Sequence, residues 1–149
     1  MEYVDFWSVE SALYAKLDAE MMRGETSYSK EFSLGNNQIF SISISSKAGS
    51  PISLNQTFST KEVDFKIDFR AGSSTSLPNW FRLDNQGGHG SLHFHLESGT
   101  QQFNEHIPFP ENKNISEVIS LGFQEAEKVM KRKYPDFPIR NNVEFTGSA

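Results

Sequence analysis

Apolar and polar residues of this chain alternate with two different periods, and the period changes twice along its length. Between residues 8 and 23, Leu13, Leu17 and Met21 recur every fourth position, as they would on one face of a helix. Ser8 precedes this run and belongs to the residue types that favour the N-cap. The pattern therefore predicts a helix over residues 8–23.

Residues 27–110 alternate with period two, which indicates strands that have one buried side and one side facing solvent. The clearest run extends from Glu62 to Arg70, where an apolar residue occupies every second position. The predicted strands are 39–46, 62–70, 80–83, 91–97 and 103–109. Because this alternation is typical of antiparallel sheets, we expect one antiparallel β-sheet of about five or six strands.

The helical period returns over residues 115–133, where Asn114 or Ser116 suits the N-cap and Pro135 prevents continuation. A sheet with one apolar face needs a covering layer, so we expect the N-terminal and C-terminal helices to pack on that face. The predicted fold is α+β, in a single domain over residues 1–149. Residues 1–7 and 140–149 are expected to be flexible ends.

Composition and charge exclude several classes of function. The chain has no cysteine, which excludes disulfides, Cys-based zinc fingers and cysteine nucleophiles. Its 14 Lys and Arg against 19 Asp and Glu argue against a general nucleic-acid clamp, although a local basic site is still compatible with them. The sequence contains neither a secretory signal nor an apolar run of about 18 residues, so we expect a cytoplasmic protein without a membrane partner.

Residues 82–97 contain the only concentration of chemistry-bearing side chains that stands out. His93, His95 and Glu97 are spaced so that one strand presents all three on the same side. Arg82, on the preceding predicted strand, and Asp84, directly after that strand, lie just before a glycine-rich turn. If Arg82 pairs with His93 across this hairpin, the guanidinium group and both imidazoles converge.

One chemistry that these residues suit is phosphodiester cleavage without a metal. His93 and His95 would act as the acid and the base, and Arg82 would stabilise the charge that develops at phosphorus. Asp84 or Asn85 would orient one of the histidines. The catalytic candidates are therefore Arg82, Asp84, His93 and His95, with no cofactor.

Other interpretations of the same segment stay open. His93, His95 and Glu97 could instead bind a divalent metal through two imidazoles and a carboxylate. The glycine turn around His89 could hold a phosphate or carboxylate through backbone N–H groups, and Asn85, His89 and Glu97 are the substrate-binding candidates. A solvated strand without any ligand explains the pattern equally well.

The run Trp80-Phe81-Arg82-Leu83-Asp84-Asn85, followed by a Gly/His turn and His93-Phe94-His95, resembles the R-x-D-N … H-x-H pattern of small TumE-type toxins of prokaryotic toxin–antitoxin pairs. The resemblance covers residues 39–134 in outline, and its specific part is only about sixteen residues. Leu83 stands where the family pattern has an aromatic residue, and no lysine adjoins the histidines. The helix over residues 8–23 has no counterpart in that pattern.

This resemblance implies a growth-inhibiting effector with a cognate antitoxin, and it selects Arg82, Asp84, Asn85, His93 and His95 as functional residues. We therefore expect a toxin-like effector that cleaves RNA as a metal-independent ribonuclease. The alternative is a non-catalytic protein-interaction module, of prokaryotic or phage origin, that binds a partner through the exposed sheet face. The sequence does not indicate an oligomeric state.

Overall fold

The computed structural model of the chain describes residues 5–21, 26–35, 37–47, 49–59, 63–71, 80–85, 91–98, 101–108 and 112–139. In chain order its elements are α1 (Phe6–Met21), β1 (Ser27–Gly35), β2 (Gln38–Ser46), β3 (Val63–Ala71), β4 (Trp80–Asp84), β5 (Ser91–Ser98), β6 (Gln101–Pro108) and α2 (Ile115–Lys133). The strands form a 6-stranded antiparallel sheet in which each strand pairs with the next along the chain. The predicted α+β fold, with one antiparallel sheet and a helix on either side of it in the sequence, is confirmed.

Strands β2 to β6 coincide with the five predicted runs, and their ends differ from the prediction by at most two residues. β1 was not predicted as a separate strand. Its register places Tyr28, Lys30 and Phe32 beside the apolar residues of β2, so a lysine interrupts the apolar positions of that side. This cation weakens the period-two signal on which the prediction depended.

The first helix begins earlier than predicted because Asp5, rather than Ser8, caps it. Asp5 Oδ1 accepts a hydrogen bond from the Ser8 backbone N–H at 3.2 Å, and the Ser8 hydroxyl donates to Asp5 Oδ2 at 2.7 Å. Ser8 therefore lies inside the first turn. Phe6, in the segment expected to be flexible, is 3% exposed. The last two residues of the predicted helix, and residues 1–4 and 140–149, lie outside the described residues.

The core lies between the apolar face of the sheet and the two helices. Phe6 of α1 connects all three layers, since its ring centroid is 4.8 Å from that of Phe81 and 5.9 Å from that of Phe123. The buried sheet residues on this face include Phe40, Ile42, Ile44, Phe65, Ile67, Phe69, Phe81, Leu83, Leu92, Phe94, Leu96 and Ile107. The opposite face of the sheet is thus left to the polar positions of each strand.

The second helix has the predicted bounds, and Asn114 is its N-cap. Asn114 Oδ1 accepts from the Glu117 N–H at 2.8 Å, and Glu117 Oε1 accepts from the Asn114 N–H at 3.2 Å, which completes a capping box. A preceding loop also binds this end, because the Leu54 carbonyl accepts from the Ser116 N–H. Neither described helix is long and apolar enough to cross a membrane.

Candidate functional site on the open sheet face

Five of the seven candidate residues lie on the sheet face opposite the helices, which we call the open face: Arg82, Asp84, His93, His95 and Glu97. On β3 to β6 this face consists of Asp64, Lys66, Asp68, Arg70, Trp80, Arg82, Asp84, His93, His95, Glu97, Gln102, Asn104 and His106. One cross-strand row is Asp68, Arg82, His95 and Asn104, and the next is Lys66, Asp84, His93 and His106. Directly opposed residues of an antiparallel pair have Cβ atoms about 4.5–5.5 Å apart, so side chains within each row are in reach of one another.

The β4–β5 register differs by two residues from one that pairs Arg82 with His93. Arg82 lies opposite His95, and Asp84 lies opposite His93. A slip of two residues keeps every side chain on its original face, so the candidates remain together and only the pairs change. The structure therefore makes Asp84 the immediate neighbour of His93.

Asp84 is the most buried polar residue of the open face, with 1% of its surface exposed. Its Oδ2 is 2.5 Å from Arg82 Nε, and its Oδ1 is 3.5 Å from His93 Nδ1. A buried carboxylate needs such neighbours, because its charge is costly to remove from water unless a cation or a donor compensates it. The ion pair with Arg82 fixes one carboxylate oxygen and turns the other towards His93.

His95 is held by a residue that the sequence did not indicate. Its Nδ1 is 2.7 Å from Asn104 Oδ1 on β6. With the amide oxygen as acceptor, Nδ1 carries the proton and Nε2 has the lone pair available for a proton or a metal. Asn104 lies on β6, and only the β5–β6 register reveals that it faces His95.

Aromatic rings surround the two histidines. The ring of His93 stacks on that of His106 with centroids 4.5 Å apart, and it meets that of His95 edge-on at 6.1 Å. Trp80 lies beside the pair, with its ring 6.5 Å from the ring of His95 and 5.5 Å from Arg82 Cζ. The imidazoles, the indole and the guanidinium group thus form one continuous cluster on the open face.

Among the described residues, Asp84, His93 and His95 offer ligand atoms that all lie within 4.8 Å of one another. Glu97, the carboxylate expected to complete a metal site, is not in this group. It lies in the next row, opposite Trp80 and Gln102. The carboxylate that accompanies the two imidazoles is therefore Asp84, which a neighbouring strand supplies.

The remaining two candidates have different positions. Asn85 is 5% exposed, and its amide binds the backbone of β3: Oδ1 accepts from the Phe65 N–H at 3.0 Å, and Nδ2 donates to the Val63 carbonyl at 2.7 Å. Its amide thus closes the end of the β3–β4 pair. His89 and the glycine turn lie outside the described residues.

Comparisons of the chain with protein-family models, with curated proteins and with solved structures found no match. The resemblance to TumE-type toxins therefore rests on the sequence segment from Trp80 to His95 alone.

Proposed function

We propose that the open face cleaves RNA phosphodiesters by metal-independent acid–base chemistry. The observation that carries this proposal is the adjacency of Arg82, Asp84, His93 and His95, which form two opposed pairs on β4 and β5. Two imidazoles and a guanidinium group supply the base, the acid and the charge stabilisation that an in-line attack by a 2′-hydroxyl requires.

In this mechanism His95 is the base and His93 is the acid. Neutral His95 accepts the 2′-hydroxyl proton at Nε2 while Asn104 holds its Nδ1. The 2′-oxygen bonds to phosphorus, the bond from phosphorus to the 5′-oxygen breaks, and protonated His93 gives its proton to that oxygen. Asp84 stabilises the imidazolium form of His93 by charge, and Arg82 stabilises the additional negative charge on phosphate. The products are a 2′,3′-cyclic phosphate and a 5′-hydroxyl end.

RNA as the substrate is supported by the surroundings of this group. Trp80 and Arg82 form a cation–π pair, with the guanidinium carbon 5.5 Å from the ring, and such planar groups stack with nucleobases. Lys66 and Arg70 on β3 add two cations to the same face. Single-stranded RNA could therefore place a base near Trp80 and its phosphate near Arg82.

The toxin-like role follows from such an activity together with the resemblance of the Trp80–His95 segment. Uncontrolled cleavage of cellular RNA stops growth, so a cell that carries this protein would need an antitoxin that blocks the open face. We expect expression of the protein alone to arrest a bacterial host, and a His95→Gln variant to be tolerated.

A cleavage assay with EDTA present tests the proposal. We expect the parent protein to produce 2′,3′-cyclic phosphate ends, and His95→Gln to reduce the rate by about 100-fold or more. Asp64→Asn is the matched control, since Asp64 lies on the same face and pairs with the partly exposed Lys47. Equal rates for the parent and His95→Gln, or no cleavage of any structured or single-stranded RNA by the parent, would contradict the proposal. In the latter case binding without cleavage would indicate an interaction module.

A further inference from the structure

We propose that Asp84, His93 and His95 bind a divalent first-row transition metal ion, and that the bound ion switches off the acid–base site. The binding follows from the three side chains alone. The inhibition rests on the proposed function, because it requires that both imidazoles take part in cleavage.

The spacing of the donors suits a metal better than it suits a hydrogen bond. Asp84 Oδ1 and His93 Nδ1 are 3.5 Å apart, beyond the range of about 2.7–2.9 Å for a charge-assisted hydrogen bond. Two donors that share a tetrahedral ion at about 2.0–2.1 Å are separated by about 3.4 Å. All three donors lie within 4.8 Å of one another, so each pair is at most about 1.4 Å beyond that separation.

In Asp84 and His95, a neighbouring side chain already contacts the polar atom that would not bind the metal. Arg82 contacts Asp84 through Oδ2, which leaves Oδ1 on the side of His93. Asn104 binds His95 through Nδ1, which leaves Nε2 as the donor nitrogen. Protein metal sites use such outer contacts to orient their ligands and to fix the histidine tautomer.

The donor set determines which ions fit. Two imidazoles with one carboxylate are the protein ligands of many zinc and non-haem iron sites, and they leave coordination positions open. Mg²⁺ and Ca²⁺ prefer oxygen ligands, of which this group offers only one residue. The charged residues of the open face on β3 to β5, with the histidines neutral, comprise four carboxylates and three cations, so their net charge of −1 attracts a dication rather than repelling it.

Metal occupancy and acid–base cleavage exclude each other. A bound ion takes a lone pair from each imidazole, so His95 can no longer accept the 2′-hydroxyl proton and His93 can no longer be protonated. Added Zn²⁺ should therefore inhibit cleavage in proportion to occupancy of the site.

The test measures metal binding directly, on the full chain purified without metal. We expect one Zn²⁺ per chain by calorimetry, a higher Tm with Zn²⁺ than without it, and visible absorption bands when Co²⁺ binds. Mg²⁺ should give none of these changes. Asp84→Asn and His95→Gln should each weaken Zn²⁺ binding on the order of 100-fold. His106→Phe is the matched control, because it keeps a ring against His93 and removes both nitrogens.

The outcomes separate this proposal from the cleavage proposal. The metal site is overturned if the parent binds neither Zn²⁺ nor Co²⁺. It is also overturned if His106→Phe abolishes binding while Asp84→Asn and His95→Gln leave binding intact. If Zn²⁺ binds as expected and the parent does not cleave RNA with EDTA present, the metal site is supported and the inhibitory role is overturned. Cleavage that Zn²⁺ stimulates would likewise overturn the inhibitory role.

Discussion

Asp84 and Asn85 are neighbours in the sequence that serve different purposes. The Asp84 carboxylate faces Arg82 and His93 on the open face, whereas the Asn85 amide binds the backbone of β3 at Phe65 and Val63. In an R-x-D-N motif both residues look equally functional. Their hydrogen-bond partners indicate that Asn85 contributes to the end of the sheet and Asp84 to the site.

Replacing Asn85 should therefore affect stability. Asn85→Ala leaves a buried N–H of Phe65 and a buried carbonyl of Val63 without the amide, and we expect a loss of about 2–4 kcal/mol in the free energy of unfolding. Urea denaturation measures this loss. Asn104→Ala is the control: its amide is exposed, so it should change stability by less than about 0.5 kcal/mol while lowering the cleavage rate. Unchanged stability in Asn85→Ala would instead leave substrate binding as its role.

At the scale of elements, α2 is positioned by its first residues and by one glycine. The capping box of Asn114 and Glu117 fixes where the helix begins. Gly122 then allows close contact with the sheet, because a Cβ atom there would lie 2.9 Å from a Leu92 methyl and 3.1 Å from a Leu83 methyl. Leu83 and Leu92 are the sequence neighbours of Asp84 and His93, so α2 packs against the same parts of β4 and β5 that carry the site.

A larger residue at Gly122 should disturb this contact. Gly122→Val forces both leucines to move, and we expect a loss of about 1–3 kcal/mol in the free energy of unfolding from overpacking. Valine is a better helix former than glycine, so helix propensity alone would raise the stability of Gly122→Val and cannot account for a loss. An unchanged or higher free energy of unfolding in Gly122→Val would show that Gly122 has no packing role.

The cap is testable in the same way. Asn114→Ala removes the acceptor of the Glu117 N–H, and we expect a loss of about 1 kcal/mol in thermal or urea unfolding. Asn55→Ala, at an exposed position, should leave the unfolding midpoint within measurement error. A similar midpoint shift in both variants would contradict the role of Asn114.

At the scale of the whole molecule, the fold separates an apolar layer from a polar one. The two helices cover the apolar face, which leaves the histidines, Arg82 and Asp84 on the other. The chain carries a net charge of −5, so attraction for RNA has to come from a small part of its surface. Lys66, Arg70 and Arg82 are the cations of the open face on β3 to β5.

RNA binding should therefore depend only weakly on salt. Three phosphate contacts predict a slope of about −2 for log K against log salt concentration, at about −0.7 for each contact with a single strand. Fluorescence anisotropy with the His95→Gln variant measures this slope without cleavage. A slope steeper than about −4 would locate RNA binding outside the open face.

The sequence by itself determined the two helices, five of the strands, the α+β fold and the set of side chains that share the open face. Alternation was sufficient because burial of one sheet face imposes period two, and burial of one helix face imposes a period near 3.6. The alternation was insufficient for β1, where Lys30 interrupts the apolar side. It was also insufficient for the start of α1, where Asp5 and Ser8 both suit the N-cap and Asp5 occupies it.

Only the tertiary structure decided which of these side chains are partners. A two-residue slip between β4 and β5 preserves the alternation completely, so no sequence pattern distinguishes an Arg82–His93 pair from the Asp84–His93 pair that forms. The same holds for Asn104, whose contact with His95 depends on the register of β6. Register is a property of turns and of packing across the whole sheet, and it is the reason that Asp84, rather than Glu97, lies with the two imidazoles.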